Sequence, residues 1–167
     1  MASGDHLFFT TAQAAYFPTT SPATLDVRNL VPCLDFDDSV TETAYFIGFM
    51  PSSYAGTTGI TVTLGWAFTS SGTPGTDTCD WEVALAKVGD DTDDIDGAIF
   101  AAANSVIATS ASADGELDYA QITFTDGADM DSITAGDMFL IQVTRDSTGG
   151  TASPGDAELY FVLVEET

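Results

Sequence analysis

The chain has 167 residues, 44% of them hydrophobic and 11% aromatic, which suits one domain with a sizeable core and excludes a wholly disordered protein. Its 26 Asp and Glu stand against three Lys and Arg, for a formal charge of −23. A surface of that sign repels DNA, RNA and anionic lipid, which excludes nucleic-acid and membrane-surface partners, and no apolar run approaches the ~20 residues of a spanning helix.

Residues 1–23 are expected to form an extended arm. Leu7, Phe8, Phe9, Tyr16 and Phe17 are set among Thr, Ser and Gln, while Pro18 and Pro22 limit regular structure. Soluble monomers avoid free aromatic surface, so the arm either folds back across its own domain or lies on a neighbouring subunit. Those five side chains are the candidate interface residues, and deleting the segment through Phe17 is expected to spare the fold and abolish attachment. Ala12-Gln13-Ala14 has the small-residue look of a cleavage site, but Asp5 and the lack of an early Lys or Arg argue against a secretory signal.

Residues 24–167 read as one all-β, jelly-roll-like antiparallel sandwich of about eight strands with at most one short helix. Segments 25–36 and 43–50 are the first two predicted strands. Tyr54 falls in a turn-like Pro51-Ser52-Ser53-Tyr54-Ala55-Gly56 and is the best candidate for an exposed aromatic. The clearest strand follows: Ile60, Val62, Leu64, Trp66 and Phe68 share one face, with Thr61 and Thr63 on the other. Cys79, Trp81, Val83 and Leu85 alternate with Asp80, Glu82, Ala84 and Ala86 in the same way. Residues 94–104 carry enough alanine, with Ile95, Ile99 and Phe100, for a short helix. Segments 105–109, 117–125, 137–145 and 157–165 complete the set, the last apolar on both faces as in a centrally buried strand. Turn-rich loops at 70–78 and 146–155 separate strands, as in a sandwich.

Chemistry-bearing patterns are few. The sole histidine, His6, lies in the arm, and no nucleophile elbow or phosphate-binding glycine loop occurs. One His and the separated Cys33 and Cys79 cannot build a structural zinc site, and both thiols read as reduced, buried apolar residues. With so many carboxylates, some pair will match a glycosidase separation by chance. Asp90-Asp91-Thr92-Asp93-Asp94-Ile95-Asp96-Gly97 suggests calcium, but the Gly97 frame puts Thr92 in the first ligand slot and Ala103 where the bidentate Glu belongs. It fails as an EF-hand. This run and Asp126, Asp129 and Asp131 read as solvated turn-capping acids. Trp66 and Trp81 could serve as sugar platforms, yet both fall in phase with the apolar face and read as core. No catalytic residue, cofactor or metal is expected.

Several segments carry a resemblance: Asn29-Leu30-Val31-Pro32-Cys33-Leu34-Asp35-Phe36-Asp37, Tyr54-Ala55-Gly56 leading into Ile60-Thr61-Val62, Phe124-Thr125-Asp126-Gly127-Ala128-Asp129-Met130-Asp131, and Gly155 to Val162 with Glu165-Glu166-Thr167. From about Asp26 onward the chain resembles single-domain structural proteins of tailed bacteriophages. The resemblance implies a non-enzymatic virion component, foremost a decoration or cement protein on the outer head surface, with a tail or fibre part as the alternative. The implied partners are the major capsid protein or another virion protein and sister copies in a homo-oligomer, by analogy a trimer. Assembly would take place in the host cytoplasm. A carbohydrate-binding sandwich is the reading from another class, and it requires solvent-facing aromatics in a row.

Self-repulsion at −23 should make stability salt-dependent, because a Debye length of about 8 Å at physiological ionic strength shortens further as salt is added. The melting temperature should climb between low salt and ~1 M NaCl; a flat calorimetric profile would show the charges already neutralised.

Overall fold

The strands with the strictest alternation become the facing layers of a sandwich. In this computed structural model, which describes residues 4–149 and 155–167, the strands are β1 His6–Thr11, β2 Thr24–Arg28, β3 Val31–Phe36, β4 Glu42–Phe49, β5 Ile60–Phe68, β6 Thr78–Val88, β7 Asn104–Thr109, β8 Asp118–Phe124, β9 Met138–Arg145 and β10 Ala157–Glu166. One sheet is ordered β2-β3-β10-β5-β8, with β1 also on β10; the other is β4-β9-β6-β7. Every pairing is antiparallel. Leaving β1 and β2 aside, β3-β10-β5-β8 lies over β4-β9-β6-β7, the interleaving of a jelly roll.

The core lies between the sheets. Ile60, Val62, Leu64, Trp66 and Phe68 of β5 are all buried, as are Cys79, Trp81, Val83 and Leu85 of β6. Trp66 and Trp81 meet edge to face at 6.0 Å, and Phe36 and Phe68 close on them at 5.1 and 4.9 Å. Ring pairs in that geometry add to what burial of large apolar area already contributes. Gly48 makes room for Phe139: a Cβ there would overlap the Phe139 ring, its cross-strand partner. The two buried cysteines are free.

Three expectations need correction. Segment 25–36 is a hairpin rather than one strand, turning at Asn29 and Leu30 with φ of 45° and 75°. Positive φ at both central residues is the type I′ requirement, and leucine in the second position disguises it. The expected eight or so strands form the two facing layers, and β1 and β2 bring the described residues to ten. No helix forms over 94–104. Only Ile95–Gly97 makes a 3-10 turn, capped by Asp94, after which the chain runs extended along the edge, where the Ala101 N–H donates to the Leu85 carbonyl, and enters β7. Tyr54 is buried, and its hydroxyl donates to the Met130 sulfur at 3.4 Å.

The leading segment joins the body. β1 pairs with β10 from His6 to Thr11, beyond the end of β3. A register shift between His6 and Phe8 marks a bulge that lets Leu7 be buried and Phe8 pack against the core edge-on to Phe139 at 5.8 Å. The chain then crosses to the other sheet, where Tyr16 exchanges backbone hydrogen bonds with Tyr45 and Ala23 and Ser21 bond to Thr43. Deleting it would strip an edge from β10 and open the core, so the expectation that the sandwich survives its loss is not what this packing implies. Residues 1–3, and 150–154 of the predicted 146–155 loop, lie outside the described residues.

Trp66 is 1% exposed. Trp66→Ala should cost about 3–5 kcal/mol through the cavity left between the sheets. Denaturant titration measures it, and a near-neutral result would mean the indole does not bridge the layers.

Candidate functional site

An irregularity in β10 builds the outer face of the larger sheet. Leu159 pairs with Trp66 but Phe161 pairs with Gly65, so Tyr160 is an extra residue. A bulge reverses the side-chain alternation beyond it. Glu158, Tyr160, Phe161, Leu163 and Glu165 consequently share the outer side, while Leu159, Val162 and Val164 face the core. The apolar look of both faces in this strand comes from the bulge. It does not come from burial on both sides.

Phe161 lies across Gly65, where any Cβ would overlap its ring. From that position it meets Phe9 of β1 at 5.6 Å and Tyr119 of β8 at 5.9 Å. Phe9 and Tyr119 are each 59% exposed. The result is a solvent-facing row, Phe9–Phe161–Tyr119, crossing three neighbouring parts of the sheet. Concavities flank the Phe161 ridge: one of about 460 Å³ includes Arg28, Val31, Leu117 and Tyr160 in its lining, and one of about 300 Å³ includes Thr63, Gln121 and Leu163.

Beside the ridge sits a polar knot. Glu158 is buried, and one of its oxygens accepts from both Arg28 and the Tyr160 hydroxyl. Arg28 also donates to the Phe68 and Thr69 carbonyls. Burial, followed by the hydrogen bond to Glu158, pushes the Tyr160 phenol up from its ordinary range. Burial together with the charge of Glu158 lifts the Cys33 thiol to about 11, so it stays protonated and unreactive at neutral pH. Asp35, directly across from Glu158, has one buried oxygen without a partner. Burial, and then the negative charges of Asp156, Glu158, Asp26 and Glu42, raise its carboxyl to about 6.

A second knot closes the end of the sandwich. Arg145 is buried, donates to the Phe36 and Gly155 carbonyls, and lies over the Phe68 ring. Its charge reaches Asp37 and Glu42. Asp37, Asp38 and Asp156 offer oxygens within 4.8 Å of one another, but the Asp38 N–H donates to Asp156, and Ser39 and Val40 donate to Asp37. Asp37 thus acts as a turn acceptor near the buried Arg145, and Asp156 accepts across segments from the Asp38 backbone. The predicted acidic runs behave likewise: Asp93 accepts from the Gly89 N–H, Asp129 from Thr125 and Asn104, and Asp131 from the Lys87 N–H.

The five predicted interface side chains are divided. Leu7 and Phe8 pack into this chain's own core, Phe9 joins the aromatic row, and Phe17 is exposed. Tyr16 lies 5.2 Å from Tyr45, which stacks on Phe100 at 5.7 Å, so one ring pins both the leading segment and the β6–β7 connection. Sequence reasoning missed Phe161 and Tyr119 as partners. The bulge that aims Phe161 outward shows in the sequence only as apolar residues on both faces, which a strand buried on both sides would also give. His6, on β1, has its Nε2 3.1 Å from Glu165.

No family model and no curated protein matches the chain. Among solved structures, a family 29 carbohydrate-binding module from Piromyces equi is 12% identical over 94% of this chain and 89% of its own, with a TM-score of 0.38. The carbohydrate-binding and catalytic modules of a Clostridium thermocellum endo-1,4-β-D-xylanase, solved with xylohexaose, are 12% identical with a TM-score of 0.42, and this chain spans 29% of that one. A non-crystalline cellulose specific carbohydrate-binding module is 11% identical over 92% of this chain and 85% of its own, at 0.39. Nothing about ligands passes from those proteins to this chain at such scores.

Asp35 supplies a pH test. Its folded value, about 6, lies above the ordinary 3.8, so the folded form takes up a proton before the unfolded form does. Stability from this group therefore rises as pH falls from ~7 through 6 toward 4. Asp35→Asn should stabilise the protein at pH 7 by on the order of 1–2 kcal/mol and flatten that rise. Thermal melts across the range measure it; an unchanged slope would relieve Asp35 of the role.

Proposed function

We propose that the chain is a non-enzymatic structural subunit of a bacteriophage particle, a decoration or cement protein on the outside of the head, bound to the major capsid protein or another virion protein. The observation that carries the reading is the chemistry of the exposed apolar side chains. Leu25, Val27, Leu30 and Val31 are exposed on the β2–β3 hairpin, and Ile47, Phe49, Ile95 and Ile99 on or beside the smaller sheet. Apolar surface left open in this way marks contact with another macromolecule. Aliphatic side chains exclude water against a protein, whereas a sugar is gripped by flat rings and polar neighbours. The charge of −23 suits a site away from packed DNA and keeps particles dispersed. The bacteriophage assignment follows the resemblance of the segments from Asp26 onward.

One observation favours a second reading, a glycan-binding module. The row Phe9–Phe161–Tyr119 has the ring-to-ring spacing of a stacking platform and lies beside the Arg28–Glu158–Tyr160 knot. The same row also serves as an aromatic anchor in a protein interface.

Imaging purified phage particles labelled with antibody to this chain separates the readings. Labels should cover the outer surface of heads, in numbers that follow the shell lattice. Heads without label, together with glycan-array binding lost in Phe161→Ala, would move the chain to the second class.

A further inference from the structure

The outer face of the smaller sheet ends in a groove that the fold leaves open. Phe49 of β4, Met138 of β9 and Val88 of β6 are cross-strand neighbours in register, so they form one apolar row. The connection after β6 brings Ile95 beside them. With Asp90 and Asp91 they line a groove of about 480 Å³. Phe49 is 60% and Ile95 71% exposed. Its floor is apolar and its rim anionic. Asp93 also lines it but is engaged, because its carboxylate accepts from the Gly89 N–H.

Among the described residues no Lys or Arg is free to meet that rim. Its Lys and Arg number three. Arg145 is buried on backbone carbonyls, Arg28 is held by Glu158, and the Lys87 Nζ lies 3.8 Å from Asp137. A second copy therefore brings like charge and no counter-charge.

We propose that this groove docks a basic, apolar segment of a different protein. That segment lays an aliphatic or aromatic side chain on Phe49 and Met138 and directs a Lys or Arg at Asp90 and Asp91. A Lys or Arg fits such a place because its methylene stem covers apolar surface while its head stays at the wet rim. Exposed ion pairs contribute little individually, so the floor supplies most of the affinity, and the aspartates supply selectivity and association rate. The inference rests on the assembly reading and deepens it by naming the chemistry of the attachment partner.

The test uses the full chain and a short fluorescein-labelled peptide alternating Arg with Leu, read by anisotropy, beside companion peptides alternating Arg with Gly and Glu with Leu. Phe49→Ser alters an exposed side chain and should weaken the Arg–Leu peptide about tenfold or more. Asp90→Asn with Asp91→Asn should weaken it about three- to tenfold at low salt, the difference closing at high salt. Asn tolerates the left-handed backbone of Asp91, at φ 54°. Asp26→Asn with Asp118→Asn removes equal charge from the larger sheet and should change affinity by less than about twofold.

The proposal is overturned if the Arg–Leu peptide fails to bind, if the Arg–Gly peptide binds as well, or if both charge pairs lose affinity equally. It is also overturned if sedimentation shows self-association that Phe49→Ser abolishes. The two ideas fail separately. Phe49-dependent binding by a chain absent from particles keeps the groove and sinks the virion assignment, whereas a chain present on particles that ignores the peptide does the reverse.

Discussion

The constraint that shapes this protein is an imbalance of 26 Asp and Glu against three Lys and Arg. Salt bridging cannot answer such an imbalance. The fold uses two of its cations as internal fasteners: Arg145 ties the end of the sandwich to backbone carbonyls of separate strands and loops, and Arg28 ties β2 to β10 and to the end of β5. The aspartates take their hydrogen bonds from the backbone. Asp37, Asp77, Asp94, Asp137 and Asp146 accept from N–H groups within a few residues, at turns. An Asp used in this way fixes the local chain path and supplies an acceptor to a donor that would otherwise rely on water. Part of the negative charge is therefore turn chemistry, and its repulsive cost is left to the apolar interior and to the surrounding salt.

An interior that must offset this is built around Trp66 and Trp81, whose indole N–H groups are buried without a hydrogen-bond partner, and irregularity is pushed outward. The bulge at Tyr160 leaves β10 paired on both sides yet turns consecutive residues to the solvent side, and Gly65 lets the Phe161 ring lie flat where any other residue would block it. A regular β10 would have pointed Phe161 at the core. One extra residue thus converts the most central strand of the larger sheet into the ridge of an exposed aromatic row.

The sequence made the regular parts legible and hid the irregular ones. Period-two alternation located β5, β6, β8 and β9 within a residue or two, because a half-buried strand writes its own orientation into every second position. The tryptophans were readable as core for the same reason. The hairpin at Asn29–Leu30 was not, since its second turn position holds leucine where glycine would have announced the turn. Alanine richness in residues 98–103 suggested helix, but this stretch is tied at Ala101 to the edge of β6, and small residues suit close passage there as well as a helix. Tyr54 sits in a turn by sequence and is nevertheless buried against Met130, a contact between distant segments that no local pattern records. The aromatic row is harder still to foresee. It joins β1, β10 and β8 through a register shift, so its members are neighbours only in the folded sheet.

Folding the leading segment into the body also changes how the proposed attachment would work. A free arm would let the chain bind a partner by ordering a disordered tail, with an entropic penalty on each binding event. Here Leu7, Phe8 and Ala12 are already packed, and the backbone is already bonded to β4 at Tyr16, Ser21 and Ala23. What remains for a partner is preformed surface: the ridge on one face, the acid-rimmed groove on the other, and the aliphatic hairpin at the edge. Preformed surfaces bind with little ordering cost, and a rigid sandwich with two chemically distinct faces can bridge different neighbours at once. Mutual repulsion among copies then acts as a filter. In the assembly role proposed above, it would disfavour like-on-like stacking and favour surfaces that bring their own positive charge.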